Sequence, residues 1–215
     1  MIQYRGNCVV IDAGPDFRQQ MLRANVRKLD AVIITHSHKD HTGGLDDVRA
    51  FNWIQKKPMD IYAKKDDLAS IRAEYPYAFA DDKYPGAPDI RLNTISNHPF
   101  TVDNIELTPI SAMHHKMPVS GFRSKDFSYL TDVNYIEREE LDKMRGSKVI
   151  VIGALRKEKH ISHFSLAEAV EILKQLNPDR GYITHISHQM GPRKEVEREL
   201  PQNISFACDG LRITL

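Results

Sequence analysis

The sequence predicts a mixed α/β fold, because short buried strands alternate with segments of helical periodicity. Apolar and β-branched runs recur between turn-forming residues, a pattern typical of strands covered on both faces. No glycine-rich phosphate loop follows any of these runs, which disfavours a nucleotide-binding doubly wound sheet. The predicted strands are 8–11, 31–35, 61–63, 105–110, 127–131, 149–152 and 181–184.

Two segments carry the clearest helix signals. Residues 45–56 form one of them, and residues 165–176 form the other. In the second segment Ser165 and Glu168 have the S-x-x-E spacing of a capping box, and the pair Asn177-Pro178 predicts its end. Between residues 73 and 99, aromatic residues are mixed with prolines and a glycine. This composition predicts a structured loop, and a pocket wall and an ordinary surface excursion stay equal alternatives.

Length and charge favour one globular domain, residues 1–215, that acts on a small molecule. The 215 residues can enclose one sizeable core. Lysine and arginine number 30 against 29 for aspartate and glutamate, so the formal net charge is +1. This balance lacks the broad basic footprint that polynucleotide binding usually needs. A small substrate is therefore expected, and a nucleic-acid partner is not.

The cysteines and the amino terminus predict a cytoplasmic protein. Cys8 and Cys208 lie far apart and form no CxxC motif, which argues against a disulfide framework or a cysteine-rich zinc module. We expect a reducing compartment and no structural zinc beyond an active site. The first residues show no basic region followed by an apolar stretch, and no apolar run approaches the length of a membrane span. No membrane association is expected.

A cluster of histidine and aspartate residues follows the strand predicted at 31–35. His36, His38, Asp40 and His41 fall within six positions. Imidazole and carboxylate groups suit divalent metals such as zinc, and a strand end gives them a rigid support. In an extended segment His36 and His38 can address one metal ion, while Asp40 and His41 can turn towards a second. The spacing therefore predicts a metal site.

Further polar residues stand at or near the ends of other predicted strands. Ligands that converge from several strand ends are how an active site is assembled at a sheet edge. This placement predicts that they belong to the same site. The four residues are His114, Asp132, His163 and His185.

The cluster at 35–44 resembles the HxHxDH signature of the metallo-β-lactamase superfamily. Residues 11–17 are similar to the first acidic motif of that superfamily, 130–132 to its bridging aspartate, and 184–188 to its last ligand strand. The set most resembles the phosphodiesterase branch, which includes tRNase Z and the phosphoribosyl cyclic phosphodiesterase. The resemblance implies a four-layer αβ/βα sandwich. By this resemblance, we expect the chain to lack the first amino-terminal strand of the family and a glycine-containing loop.

The resemblance also implies a ligand set for two divalent ions, zinc or manganese, with iron compatible. One ion would be held by His36, His38 and His114, and the other by Asp40, His41 and His185. Asp132 would bridge the pair. The pattern favours His114 over the neighbouring His115, which is expected to be exposed or to support a ligand from outside.

Other residues receive supporting roles from the resemblance. Asp12 would orient a ligand imidazole or its loop, with a turn cap for Gly14 as the alternative. His163 would be the catalytic histidine that precedes a helix, beside Asp40 and Asp132, with a helix-terminal residue without chemistry as the alternative. His160 and His188 are weaker candidates for substrate contact, and a histidine satisfied by hydrogen bonds is an equal alternative for either.

The resemblance implies hydrolysis of a small or cyclic phosphodiester by a hydroxide shared between two metal ions. Metal coordination lowers the pKa of water from 15.7 to about 7, and a protonated His163 would donate to the leaving alkoxide. Three alternatives stay open: a thioester or lactam hydrolase, an RNA-processing nuclease, and a metal-binding module without turnover. A homodimer is also left open.

Overall fold

The computed structural model describes all residues from Met1 to Leu215 and contains two compact units. Unit 1 comprises Met1–Glu106, and unit 2 comprises Leu107–Leu215. Each unit has a hydrophobic core of its own. One domain over residues 1–215 stays a prediction.

Unit 1 contains a five-stranded sheet. Strands β1 and β2 form an antiparallel hairpin, and β2 to β5 pair in parallel. Because Ile11 is the register partner of Ile33, β2 and β3 end at the same edge of the sheet. In sheet order, the strands are β1 (Ile2–Tyr4), β2 (Asn7–Ile11), β3 (Ala31–Ile33), β4 (Met59–Ala63) and β5 (Ile90–Thr94).

Short helices connect these strands. The helix predicted at 45–56 is confirmed in two parts, a 3₁₀ turn at Leu45–Val48 and then α3. The α-helices are α1 (Phe17–Arg23), α2 (Lys39–Thr42), α3 (Arg49–Gln55) and α4 (Lys65–Glu74), and a second 3₁₀ turn spans Pro76–Ala78. The core of unit 1 includes Val10, Phe17, Val32, Ile34, Leu45, Phe51, Ile61 and Ile71.

A seven-stranded sheet extends through unit 2, and the boundary between the units falls within β7. Strands β7, β8 and β9 are antiparallel neighbours, and β9 to β12 pair in parallel. Its order is β12-β11-β10-β9-β8-β7-β6. In chain order, the strands are β6 (Phe100–Val102), β7 (Ile105–His114), β8 (Met117–Ser124), β9 (Phe127–Leu130), β10 (Val149–Gly153), β11 (Arg180–Thr184) and β12 (Ile204–Phe206).

The helices of unit 2 include the one that the capping box predicts. Ser165 Oγ accepts the backbone N–H of Glu168, and the Glu168 carboxylate accepts the backbone N–H of Ser165 at 2.9 Å. The helix ends at Asn177, whose φ of 49° is left-handed. The helices are α5 (Arg138–Asp142), α6 (Leu166–Leu176) and α7 (Arg193–Val196), with 3₁₀ turns at His188–Met190 and Glu197–Glu199. None of the helices has the length and apolar character that a membrane crossing requires.

The predicted fold class is confirmed, since the protein has two sheets with helices and each predicted strand overlaps a strand of the structure. The prediction of a loop over 73–99 is wrong in part, because this range contains β5 and a 3₁₀ turn. Strand β8 was missed because Pro118 and Gly121 interrupt its apolar pattern. Gly121 is required there, because a Cβ at this position would lie 2.7 Å from the carbonyl oxygen of Tyr129.

Candidate metal centre

In unit 1 the predicted ligand residues lie at the carboxyl edge of the parallel strands. Asp12 directly follows β2, and Thr35 and His36 follow β3. The backbone N–H of Asp12 donates to the carbonyl oxygen of Ile33 at 2.8 Å, which ties the two strand ends together. Thr35 and His36 are fully buried. Polar groups therefore gather where both strands end.

Helix α2 turns the rest of the motif back towards His36. His38 is extended, and its carbonyl oxygen accepts the backbone N–H of His41 at 3.0 Å. The ring centroids of His36 and His38 lie 4.7 Å apart, and those of His36 and His41 lie 4.2 Å apart. Asp40 Oδ2 lies 3.3 Å from His41 Nε2. The four predicted ligands of the HxHxDH segment are thus brought together within unit 1.

Asp12 and Thr35 anchor the Nδ1 atoms of two of these imidazoles. Asp12 Oδ2 lies 2.7 Å from His41 Nδ1, and Thr35 Oγ1 lies 3.0 Å from His36 Nδ1. Metal-ligating histidines usually donate one ring N–H to an oxygen and bind the metal through the other nitrogen. The orientation of both rings therefore fits a metal ligand that binds through Nε2.

Backbone packing supports the ligand segment from behind. The backbone N–H of Gly44 donates to the carbonyl oxygen of Ala13 at 2.8 Å, and a Cβ on Gly14 would lie 2.3 Å from the carbonyl oxygen of Asp40. Two glycines in close approach therefore let the loop after β2 contact the loop after α2 directly.

Two side chains that the sequence did not single out also support this segment. Asp67 of α4 accepts hydrogen bonds from the hydroxyl and backbone N–H of Ser37, and burial raises the pKa of Asp67. The hydroxyl of Tyr75 donates to the carbonyl oxygen of Thr42 at 2.8 Å. No local pattern marks either residue, because both lie in or after α4, far along the chain from the motif.

In unit 2 the predicted residues also lie at strand ends. His114 is the last residue of β7, Asp132 follows β9, and His185 follows β11. His185 Nδ1 lies 2.9 Å from Asp132 Oδ1, which also accepts the Thr131 hydroxyl at 2.7 Å. His114 Nδ1 donates to the carbonyl oxygen of Ser162 at 2.8 Å. This hydrogen bond leaves the lone pair of the neutral imidazole on Nε2.

His163 lies among these residues. Its ring centroid is 4.6 Å from that of His114, 5.1 Å from that of His185 and 5.2 Å from that of His160. Ligand atoms of His114, Asp132 and His163 all lie within 4.8 Å of one another. Burial lowers the pKa of His163 to about 4. The imidazole is therefore neutral at pH 7 in the folded chain, a state in which it still carries one N–H donor.

The structure separates the remaining candidates. His160 contacts His163, and its Nδ1 accepts the backbone N–H of Ser162 at 3.3 Å. His188 is exposed at the start of a 3₁₀ turn and makes no ring contact with the other histidines of unit 2. His115 is exposed, whereas the neighbouring His114 is buried. The roles of these histidines stay predictions.

Three predicted site residues have a left-handed backbone. Asp12 has a φ of 62°, Asp132 of 51° and His185 of 56°. Such conformations are uncommon for residues other than glycine, although Asp, Asn and His adopt them more often than most. Strained positions of this kind cluster at active sites and ligand clamps. Each of the three follows a strand directly or after one residue, so the turn redirects its side chain at the strand end.

A groove in unit 1 is separate from this chemistry. It has a volume of about 670 Å³ and is lined mainly by residues of α1 and α3, including Phe17, Met21, Phe51 and Trp53. None of the predicted site residues lines it. The predicted metal ligands of each unit therefore lie outside this groove.

The donor atoms fit divalent metal ions. Each unit offers imidazole nitrogens and carboxylate oxygens, which are ligands of zinc and manganese. A comparison with known families matches the beta-lactamase superfamily domain over residues 7–186, which include both clusters. The chain belongs to this superfamily.

Relatives and solved structures agree with this assignment. The crystal structure of a new diphosphatase from the PhnP family has 32% sequence identity and a TM-score of 0.91, and the match covers 99% of this chain and 82% of that chain. The short form of human tRNase Z has 17% identity and a TM-score of 0.74 and covers 99% and 90% of the two chains, which shows a shared fold.

A longer relative matches nearly the whole chain. An octanoyltransferase from Porphyromonas gingivalis is 35% identical over 208 residues, which are 96% of this chain and 42% of that protein. The chain therefore spans less than half the length of this curated relative.

Proposed function

We propose that this superfamily member cleaves a P–O bond in a small phosphodiester or diphosphate, with two divalent metal ions bound by the predicted ligands. His36, His38 and His114 would hold one ion, Asp40, His41 and His185 the other, and Asp132 both. When bound, such ions supply activated water and offset negative charge on a phosphoryl group. The likeness to a diphosphatase at 32% identity supports this substrate class.

The position of His163 is the observation on which the proposal depends. Beyond the predicted ligands of unit 2, it places one more imidazole beside His114 and His185. Cleavage of a phosphodiester requires help for a poor alkoxide leaving group, whereas a thiolate leaves without it. A neutral His163 can give that oxygen only a hydrogen bond, whereas an imidazolium can transfer a proton to it and remain as neutral imidazole. A bound phosphate would also raise the pKa of His163 above about 4, since a nearby negative charge favours the imidazolium.

The test combines metal analysis with a substrate panel. The purified protein is depleted of metal, reloaded with zinc or manganese, and assayed on bis-p-nitrophenyl phosphate, a cyclic phosphodiester and a dinucleoside diphosphate. We expect hydrolysis that disappears with the metal and returns on reloading. Metal binding without hydrolysis of any phosphate substrate would contradict the proposal and favour a binding module.

A second candidate, thioester hydrolysis, is favoured by the likeness to the Porphyromonas gingivalis octanoyltransferase. Because that protein is named for an octanoyl group, an octanoyl thioester belongs in the same panel, with a lactam and a structured RNA. Turnover of the thioester without turnover of phosphate substrates would replace the proposal. Cleavage of RNA is not expected, because a net charge of +1 offers little attraction for a long polyanion.

A further inference from the structure

The buried hydroxyl of Thr35 connects Asp12 to His36. Thr35 Oγ1 lies 2.9 Å from Asp12 Oδ2 and 3.0 Å from His36 Nδ1. The backbone N–H of Thr35 donates to Asp12 Oδ1 at 2.8 Å, which fixes the orientation of the carboxylate. The same carboxylate contacts His41 Nδ1 directly at 2.7 Å. One carboxylate therefore serves two imidazoles, directly in one case and through a hydroxyl in the other.

Counting protons decides the direction of these hydrogen bonds. An ionised carboxylate only accepts, so the single proton of the Thr35 hydroxyl is donated to Asp12. The hydroxyl oxygen must then accept from His36, which places a proton on His36 Nδ1. This tautomer leaves the lone pair of His36 on Nε2, the nitrogen expected to face a metal. His41 donates from Nδ1 to Asp12 in the same way.

We propose that Thr35 is a positioning residue that sets the tautomer of His36. Through this hydroxyl relay, the chain of hydrogen bonds from Asp12 through Thr35 to His36, and through its direct contact with His41, Asp12 orients one ligand of each predicted metal ion. The inference rests on the proposed function, in which His36 and His41 bind different ions. Asp12 would then orient a ligand of each ion, but Thr35 would act mainly on the ion bound by His36. The contact between Thr35 Oγ1 and His41 Nδ1 is longer, at 3.5 Å.

This selectivity can be measured with three variants. Thr35→Val keeps the β-branched shape but removes the hydroxyl, so the affinity of one zinc ion should fall about 10- to 100-fold, the usual effect of losing a partner of a ligand. The second ion should bind with affinity near that of the wild type. Thr35→Ser restores the hydroxyl and should restore both affinities. Asparagine can adopt the φ of 62° at position 12, but Asp12→Asn should lower the affinity for both zinc ions.

The measurement is zinc titration against a chromophoric chelator, combined with ¹⁵N–¹H correlation spectra of labelled histidines in wild-type protein with and without zinc. We expect two zinc ions per wild-type chain and a proton on His36 Nδ1 in both states. Equal affinities in Thr35→Val and the wild type, or a proton on His36 Nε2 in the metal-free wild type, would overturn the relay.

The spectra also test the tautomer of His36 independently of the proposed function. A wild-type protein that binds fewer than two zinc ions but shows His36 protonated on Nδ1 would refute the dinuclear site and leave the tautomer assignment standing. If Thr35→Val does not fold, the spectra of the wild-type protein still decide the tautomer of His36.

Discussion

Gly44→Ala is expected to destabilise unit 1 and disturb the segment that carries Asp40 and His41. The φ of Gly44 is −99°, which alanine adopts without strain, so the cost comes from contacts alone. An added Cβ would lie 2.2 Å from the carbonyl oxygen of Gly14 and 2.6 Å from Phe17 Cβ. The first distance is about 0.8 Å below the 3.0 Å that real Cβ atoms keep. The carbonyl group of Gly14 belongs to the backbone, so it cannot rotate away from the added methyl group as a flexible side chain could.

The magnitude follows from this overpacking. Inserting one methyl group into a packed site usually costs about 1–3 kcal/mol, and contacts with backbone place Gly44→Ala at the upper end, about 3 kcal/mol. At about 2–4 °C per kcal/mol for a chain of this size, Tm should fall by about 6–12 °C. Urea denaturation and thermal unfolding of metal-free protein measure both values, and zinc titration should show weaker binding.

Gly86→Ala is the matched control. The nearest atoms to an added Cβ there belong to the ring of Tyr84, at 3.1 and 3.4 Å, and Tyr84 is 80% exposed and can move away. Its stability should stay within about 0.5 kcal/mol of the wild type. A Gly44→Ala protein as stable as Gly86→Ala would refute the close-packing argument.

Three further predictions concern acid stability, the ligands and the leaving group. Burial alone would raise the pKa of Asp30, but hydrogen bonds from Cys8 N–H at 2.8 Å and from Lys28 hold it below its usual value. The advantage of the wild type over Asp30→Asn, about 1–3 kcal/mol, should be full at pH 7 and shrink as pH falls below about 4; a constant difference in urea denaturation down to pH 3 would contradict this. Elemental analysis should show both metal ions lost in Asp132→Ala, mainly one lost in His114→Ala and none lost in His115→Ala, and equal losses in the first two variants would count against the ligand assignment. His163→Ala should retain its metal while kcat on an alkyl phosphodiester falls by about 10² to 10⁴, with a clearly smaller loss for a p-nitrophenyl diester. Full activity of His163→Ala on both diesters would remove this residue from the mechanism.

Local patterns in the sequence were sufficient for much of the fold. Strand β10 is a continuous apolar run, and α6 has both a capping box and a buried apolar stripe, so each could be read from neighbouring residues. Strand β8 could not, because its Pro118 and Gly121 resemble breakers. Its pairing with β7 and β9 stabilises it as a strand, although its own sequence does not predict one.

The site divides in the same way. The sequence by itself predicted the histidines and aspartates as ligands, because metal ligands are chemically distinctive and stand in short motifs at strand ends. Only the tertiary structure decided how they are held: Thr35 meets Asp12 from 23 residues away, and Ser162 meets His114 from 48 residues away. The choice of Thr35, Ser162 and Asp67 depends on which backbone and hydroxyl groups packing brings within hydrogen-bond distance. No local pattern encodes that proximity, since it arises when separate strands end at one edge of a sheet.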